Sequence, residues 1–258
     1  MTSWAQLTSS QVGSWDRGVP VVLPVGAVEQ HGPHLPLITD AAIAEHFRQQ
    51  LDSELSEDVL TLPTIVVGYS AIHQGFRGTL SVRHSTLLDQ LTDIAESALT
   101  DGFHNLIFLN TNGGNEGVVQ VALEELGARW PGRRIVRTTW WRIALDALKG
   151  ISDTGPGGVG HACELETSLM LLIEPELVDL AAAPPRANQP AFTWDSGDLL
   201  RSSPVTLYRS SADVAETGVF GEPRTASLAK GKAISEVVTA QLVALVRSLR
   251  EAPTSASS

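Results

Sequence analysis

The stretch "GAVEQHGPHLPLITD", residues 26–40, sets Glu29, His31, His34 and Asp40 among Gly and Pro residues directly after the apolar run "VPVVLPV". Pro33 and Pro36 keep this segment from being helical. On extended backbone, side chains two apart point the same way, so Glu29 and His31 can grip one cation. Asp40 follows Thr39, a candidate N-cap, and from the first turn of the next helix it can reach back over the loop. Carboxylate and imidazole donors suit zinc, manganese or iron, and one carboxylate can bridge two ions. The same residues have a plainer reading: His31 and His34 satisfy loop backbone groups, while Asp40 favours the helix dipole. Spacing alone leaves both readings open.

A second segment, "GPGGVGHACELETSLML", favours the metal reading. His161 and Glu164 lie three apart at a helix start and share one face, an arrangement that metal sites on helices use. Glu166 points well away from Glu164, so with Glu164 turned to the site Glu166 becomes a supporting hydrogen-bond partner beside Thr167 and Ser168. The alternative is an ordinary acidic first turn. In "NTNGGN", residues 110–115, the backbone N–H groups of Gly113 and Gly114 can face an anion or an oxyanion. The chain carries neither G-x-G-x-x-G nor a P-loop G-K-S/T, which disfavours nucleotide binding. Without G-x-S-x-G, Ser-His-Asp catalysis has no support, and Cys163 is a poor candidate nucleophile because His161 diverges from it.

These segments need elements to hold them. Apolar runs at 19–27, 59–69, 105–110 and 133–141 alternate with helical periodicity near 39–52, 85–100 and 116–128, then through "CELETSLMLLI" and near 223–250. Strands that are continuously apolar predict burial on both faces of a mostly parallel sheet flanked by helices, an α/β sandwich. In such sheets the loops leaving the carboxyl ends of the strands form the ligand crevice. "VEQHGPHLPLITD", "GYSAIHQGFRGTLS" and "NTNGGN" all follow strands and should meet at that edge. Residues 182–222 read as an irregular excursion within one domain spanning 1–251, and 252–258 as a frayed tail.

Composition bounds the partners. The 258-residue chain has net charge −11, with 18 Lys and Arg against 29 Asp and Glu, a poor balance for a nucleic-acid or anionic-membrane surface. A small molecule or peptide is the expected partner. No apolar run reaches the roughly 18 residues of a membrane span, and "MTSWAQLTSS" lacks the pattern of a signal peptide. With its single cysteine, the chain is expected to reside in the reducing cytoplasm.

The motifs together resemble the creatininase (creatinine amidohydrolase) family. "LPVGAVEQHGPHLPLITD" is similar to its first metal-binding segment, "FRGTLS" to its F-P-G-T turn, "HACELETSLMLLIEPELVDL" to its H-A-G-E-x-E-T-S helix, and "TGVFGEPRTASLAKGK" to its C-terminal pattern. The resemblance runs from about residue 15 to 245. It implies a three-layer αβα sandwich, a homo-oligomer that is often a hexamer, and a centre of divalent metal: zinc first, with manganese or iron as alternatives. It implies metal ligation by Glu29, His31, a bridging Asp40 and Glu164, and a catalytic His161. The family loop reads N-G-H-G-G-N, with its His a ligand. Asn112 stands there in this chain, a weaker amide donor, so one or two ions are expected.

The activity implied is hydrolysis of an amide-type C–N bond other than a peptide bond, in a small cyclic or compact substrate, by metal-activated water. Glu164 or an unbound carboxylate would accept the water's proton, His161 would donate to the departing nitrogen, and the N–H groups around Gly113 and Gly114 would steady the oxyanion. Arg77, where the family turn has proline, would clamp a substrate carboxylate, with His73 and Trp140 or Trp141 lining the pocket. Two alternatives stand beside this reading: a peptide-trimming metallopeptidase like the mycofactocin-system member, and a non-catalytic binding or assembly protein with a decayed site.

Overall fold

The computed structural model describes residues 3–186 and 192–252, so the tail read at 252–258 lies almost wholly outside the described residues. After the short helix α1 (Ser9–Ser14) come β1 (Pro20–Val25), α2 (Thr39–Leu55), β2 (Leu60–Thr61), α3 (His84–Thr100), β3 (Asn105–Asn110), α4 (Glu116–Arg129) and β4 (Arg134–Thr139). Five α-helices follow in the described residues: α5 (Trp140–Ile143), α6 (Leu145–Ile151), α7 (Glu164–Ile173), α8 (Ser211–Val214) and the long α9 (Leu228–Glu251).

The sheet is parallel throughout, in the order β2-β1-β3-β4. β1 and β3 are buried along their whole length, as the continuous apolar runs predict. Successive side chains go to opposite faces. Val21, Leu23, Val25, Leu106 and Phe108 pack with α1, α3 and α4 in one core, whereas Val22, Ile107 and Leu109 join α2, α7 and α9 in the other. Helices on both faces of a parallel sheet give the three-layer α/β sandwich.

β2 is far shorter than the run 59–69 suggests. Pro63 has no N–H to give to the ladder. The chain nonetheless keeps pace with β1: Leu62 N donates to Val22 O at 2.8 Å and Ile65 N to Pro24 O at 2.9 Å. β4 likewise stops before its aromatic pair. Trp140 and Trp141 begin α5, edge-on to each other, and Trp140 also stacks on Phe47. Both are buried in the core, which corrects the expectation that they line the pocket. Within 182–222 the described residues hold little regular structure besides α8, in keeping with an irregular excursion.

Strand order reverses direction at β1, so the loops leaving β1 and β3 diverge and open a crevice between them at the carboxyl edge. α7 borders that crevice through Glu166 and is crossed very tightly by α9 at Gly231, where a Cβ would stand 2.0 Å from Ser168 O. Gly231→Ala is expected to destabilise the protein by about 1–3 kcal/mol through overpacking, read as a lowered midpoint in denaturant with an unchanged slope.

Candidate functional site

The crevice gathers Glu29 and His31 from the loop after β1, Asp40 from the first turn of α2, His73 from the loop after β2, Asn112 from the loop after β3, and His161 and Glu166 around the start of α7. Glu29, His31, Asp40, Asn112, Glu166 and His73 are buried, and His161 nearly so. Donor atoms fall into two groups whose members lie within 4.8 Å of one another: Glu29, His31 and His161, and His31, Asp40 and Glu166.

Hydrogen bonds around the rings decide where the lone pairs point. His31 Nδ1 faces its partner Glu29 O at 3.1 Å, so Nδ1 carries a proton and Nε2 is the ring nitrogen that an ion can take once its own proton is displaced, 3.4 Å from Asp40 Oδ1. Buried His31 Nε2 and Asp40 Oδ2 have no hydrogen-bond partner among the described residues. Orphaned buried polar atoms are rare. A divalent cation is the group that would satisfy both, and an imidazole beside two carboxylates is a suitable donor set for it. His161 Nε2 donates to Gln30 O at 2.6 Å, which leaves Nδ1 as an acceptor 3.6 Å from Glu29 Oε1.

Burial dominates the electrostatics. It pushes the Asp40 carboxyl up to about 6 and Glu166 up to about 7. Burial opposes the charge on His31 as well, yet the Asp40 carboxylate beside it holds the imidazole up to about 10. Burial drives His161 well below the ordinary imidazole value, helped by the neighbouring His73 and His31 rings. At Glu29 burial is outweighed, chiefly by the His73 hydrogen bond, and the carboxyl sits below its usual value.

The expectations for α7 need correcting. His161 is not on the helix: Ala162 adopts φ +54 and Cys163 is the extended N-cap, so the premise of a shared His161/Glu164 face fails. Glu164 is fully buried but faces away from the crevice. Its carboxylate accepts from Ser152 Oγ at 2.7 Å and Asp153 N at 3.3 Å, and forms an ion pair with Lys230 of α9. Glu166, two residues on and at roughly 200° around the helix, faces His31 and Asp40 instead. The readable signal was the capping-box spacing: Glu166 is the N3 residue, and it accepts from Cys163 N at 3.3 Å.

Other placements differ too. Asn112 sits beside Glu29 but donates to it, Nδ2 to Oε2 at 2.9 Å, and its Oδ1 accepts from Gly114 N at 2.7 Å. Its oxygen is therefore turned from any cation at Glu29, and the Gly114 N–H is already engaged. Gly113 and Gly114 do line the cleft, as does His73. Arg77 is exposed and outside it. Its place as a cleft cation is taken by Arg201 and Arg209, which the sequence reading missed because they sit in the irregular excursion. His34 bonds Thr167 Oγ1 at 3.0 Å, a packing role. Cys163 is buried, its thiol pushed up to about 12 by burial, which fits its weak standing as a nucleophile.

An α/β sandwich with a buried carboxylate–imidazole cluster at its carboxyl edge defines a class of hydrolytic scaffold, and the comparisons specify which. Residues 5–246 match the creatininase family profile, described as creatinine amidohydrolase, and the chain belongs to that family. It is 33% identical over 241 residues to the mycofactocin precursor peptide peptidase of Mycobacterium tuberculosis, covering 88% of this chain and 83% of that protein. It is 29% identical over 245 residues to a creatinine amidohydrolase of Pseudomonas putida, covering 88% of each. A solved manganese creatininase superposes with a TM-score of 0.80 at 25% identity, covering 97% of this chain and 99% of that one. A mutant creatininase described as of Zn-Zn type gives 0.78 at 25% identity. The family and its named relatives are hydrolases. No described helix is long and apolar enough to cross a membrane.

Two outcomes follow from this geometry. Glu166→Gln should weaken zinc binding at least about tenfold in equilibrium dialysis with little loss of stability, since a neutral amide replaces a charged oxygen donor. Glu164→Gln should leave zinc binding intact while costing about 1–3 kcal/mol in denaturant unfolding, as Lys230 loses its buried partner.

Proposed function

We propose that this protein is a metal-dependent hydrolase of an amide-type C–N bond. The observation that carries the reading is the pair of orphaned polar atoms, His31 Nε2 and Asp40 Oδ2, on two members of a buried donor cluster that opens on a cleft of about 450 Å³. A bound divalent cation supplies Lewis acidity there, polarising a carbonyl and making water a better nucleophile. His31, Asp40 and Glu166 would hold it, with zinc or manganese the candidates that the family's solved structures support.

The chain's own groups handle the proton. His161 Nδ1 is an acceptor at the cleft, fixed in that tautomer by Gln30 O, so it takes the proton of the attacking water and returns it to the departing nitrogen. Glu29, 3.6 Å away, steadies the imidazolium between those steps. A cleft of this volume suits a compact substrate. Arg209 is paired with Asp195 at 3.3 Å, whereas Arg201 has no side-chain partner among the described residues and is the free cation for a substrate carboxylate.

A peptide end is the second reading, favoured by relatives 33–34% identical that are named as peptidases and by apolar residues that line the cleft, among them the exposed Leu207. In either reading the protein works as a homo-oligomer on a soluble substrate, with no nucleic acid or membrane partner.

Assay of chelator-treated protein against a panel of cyclic and linear amides and carboxylate-ended peptides tests this. Activity should vanish without metal and return with zinc or manganese, and His161→Asn should lower kcat by about 10²–10⁴-fold. Activity that survives complete metal removal would sink the reading. Arg201→Ala should raise KM for carboxylate substrates at least about tenfold, whereas Arg77→Ala should not. Cation affinity should fall with acid. Entry of the ion displaces the proton of His31 throughout the neutral range, that of Glu166 below about pH 7 and that of Asp40 below about pH 6. Each proton released steepens the loss by about tenfold per pH unit. Calorimetry in buffers of different ionisation enthalpy counts those protons.

A further inference from the structure

The two donor groups share His31 but differ in what already faces them. In the His31, Asp40 and Glu166 group, no N–H is locked against a donor atom by a neighbouring amide: His31 Nε2 and Asp40 Oδ2 have no hydrogen-bond partner among the described residues, and Glu166 Oε2 accepts from Cys163 N. In the other group, hydrogens point at both oxygens of Glu29. Asn112 Nδ2–H meets Oε2 at 2.9 Å, and this orientation of the amide is locked because Oδ1 accepts Gly114 N–H at 2.7 Å. His73 Nε2 meets Oε1 at 3.1 Å.

The His73 proton is placed by a second locked amide. Gln30 Oε1 accepts Gly32 N–H at 3.0 Å and Gln30 Nε2 donates to Gly218 O at 2.9 Å, so it is N–H that Gln30 turns towards His73 Nδ1, also at 2.9 Å. His73 Nδ1 is consequently an acceptor, which Ser211 Oγ approaches as well at 2.7 Å, and the ring hydrogen lies on Nε2, towards Glu29. A cation at Glu29 would meet the positive ends of two N–H dipoles, and of the two nitrogens within reach, those of His161 and His31, the second is shared with the Asp40 and Glu166 group.

We propose that the chain holds one divalent ion, at His31, Asp40 and Glu166, and that Glu29 is not a ligand but a carboxylate held by Asn112 and His73. This contrasts with a family structure of Zn-Zn type, and it rests on the metal-dependent reading above. Three protein donors leave coordination positions for water and substrate. Gln30 and Ser211 are positioning residues: they act on Glu29 through the His73 tautomer.

The test is elemental analysis of the full chain after equilibrium dialysis against excess zinc, with circular dichroism confirming the fold of each variant. Wild-type protein should carry one zinc per chain. Glu29→Gln should keep it with an affinity within about threefold, while Asp40→Asn should lower affinity more than about 100-fold, a loss of carboxylate charge at the ion. Two zinc ions per wild-type chain, or loss of the ion in Glu29→Gln, would overturn the one-ion proposal while leaving the metal-hydrolase reading intact. No zinc at all would overturn both.

Discussion

Everything at the crevice depends on the contact between His31 and Asp40, an imidazole and a carboxylate sealed from water 3.4 Å apart, with Glu166 sharing their space. Buried charge is expensive unless it is paired, and three carboxylates here share a pocket with few fixed cations. The cluster answers by holding protons: Asp40 and Glu166 are raised by burial, and His31 keeps its charge because Asp40 is beside it. A divalent ion replaces those protons with one concentrated charge. The acidic interior is thus a charge deficit suited to a cation, placed where two diverging loops leave room for a substrate.

Neutral amides set the polarity of the site as firmly as the charged groups do. Gln30 and Asn112 each have one end fixed by a backbone N–H, of Gly32 and Gly114 respectively, and so each can offer only N–H to the groups beyond. Through them the tautomer of His73 and the hydrogen bonds of Glu29 are decided. Thr111 adds a further tie, donating from Oγ1 to Asp40 O at 2.8 Å and so fastening the β3 loop to the first turn of α2. Backbone geometry in three loops therefore reaches the reacting side chains through a single layer of polar contacts.

The sandwich was legible because its signals are local. Continuous burial of β1 and β3 leaves a run of apolar residues, and α2, α3 and α4 carry their periodicity within a few turns. β2 is shorter than its apolar run because a single missing N–H at Pro63 outweighs the aliphatic residues on either side of it. The first donor segment was also readable, since Glu29, His31 and Asp40 are close in sequence and loop geometry alone brings them together. α7 was not. Glu164 and Glu166 are interchangeable by type and opposite by angle, and which one faces the crevice was settled by Lys230, which lies 66 positions from Glu164 and draws it the other way. Arg201 and Arg209 escaped notice for a related reason: their segment has no period, so nothing in it indicates which side chains turn inward.

By itself the sequence determined the layers, the edge of the sheet that carries the chemistry and the kind of donor collected there, because these follow from burial patterns and from donor types at short range. Only the tertiary structure decided which acid of α7 joins the cluster, that Asn112 gives a hydrogen rather than a lone pair, and that the tryptophans belong to the core. Those choices are made by partners distant in the chain. Hydrogen-bond direction and helix rotation depend on what each group meets after packing, and no spacing along the chain encodes that.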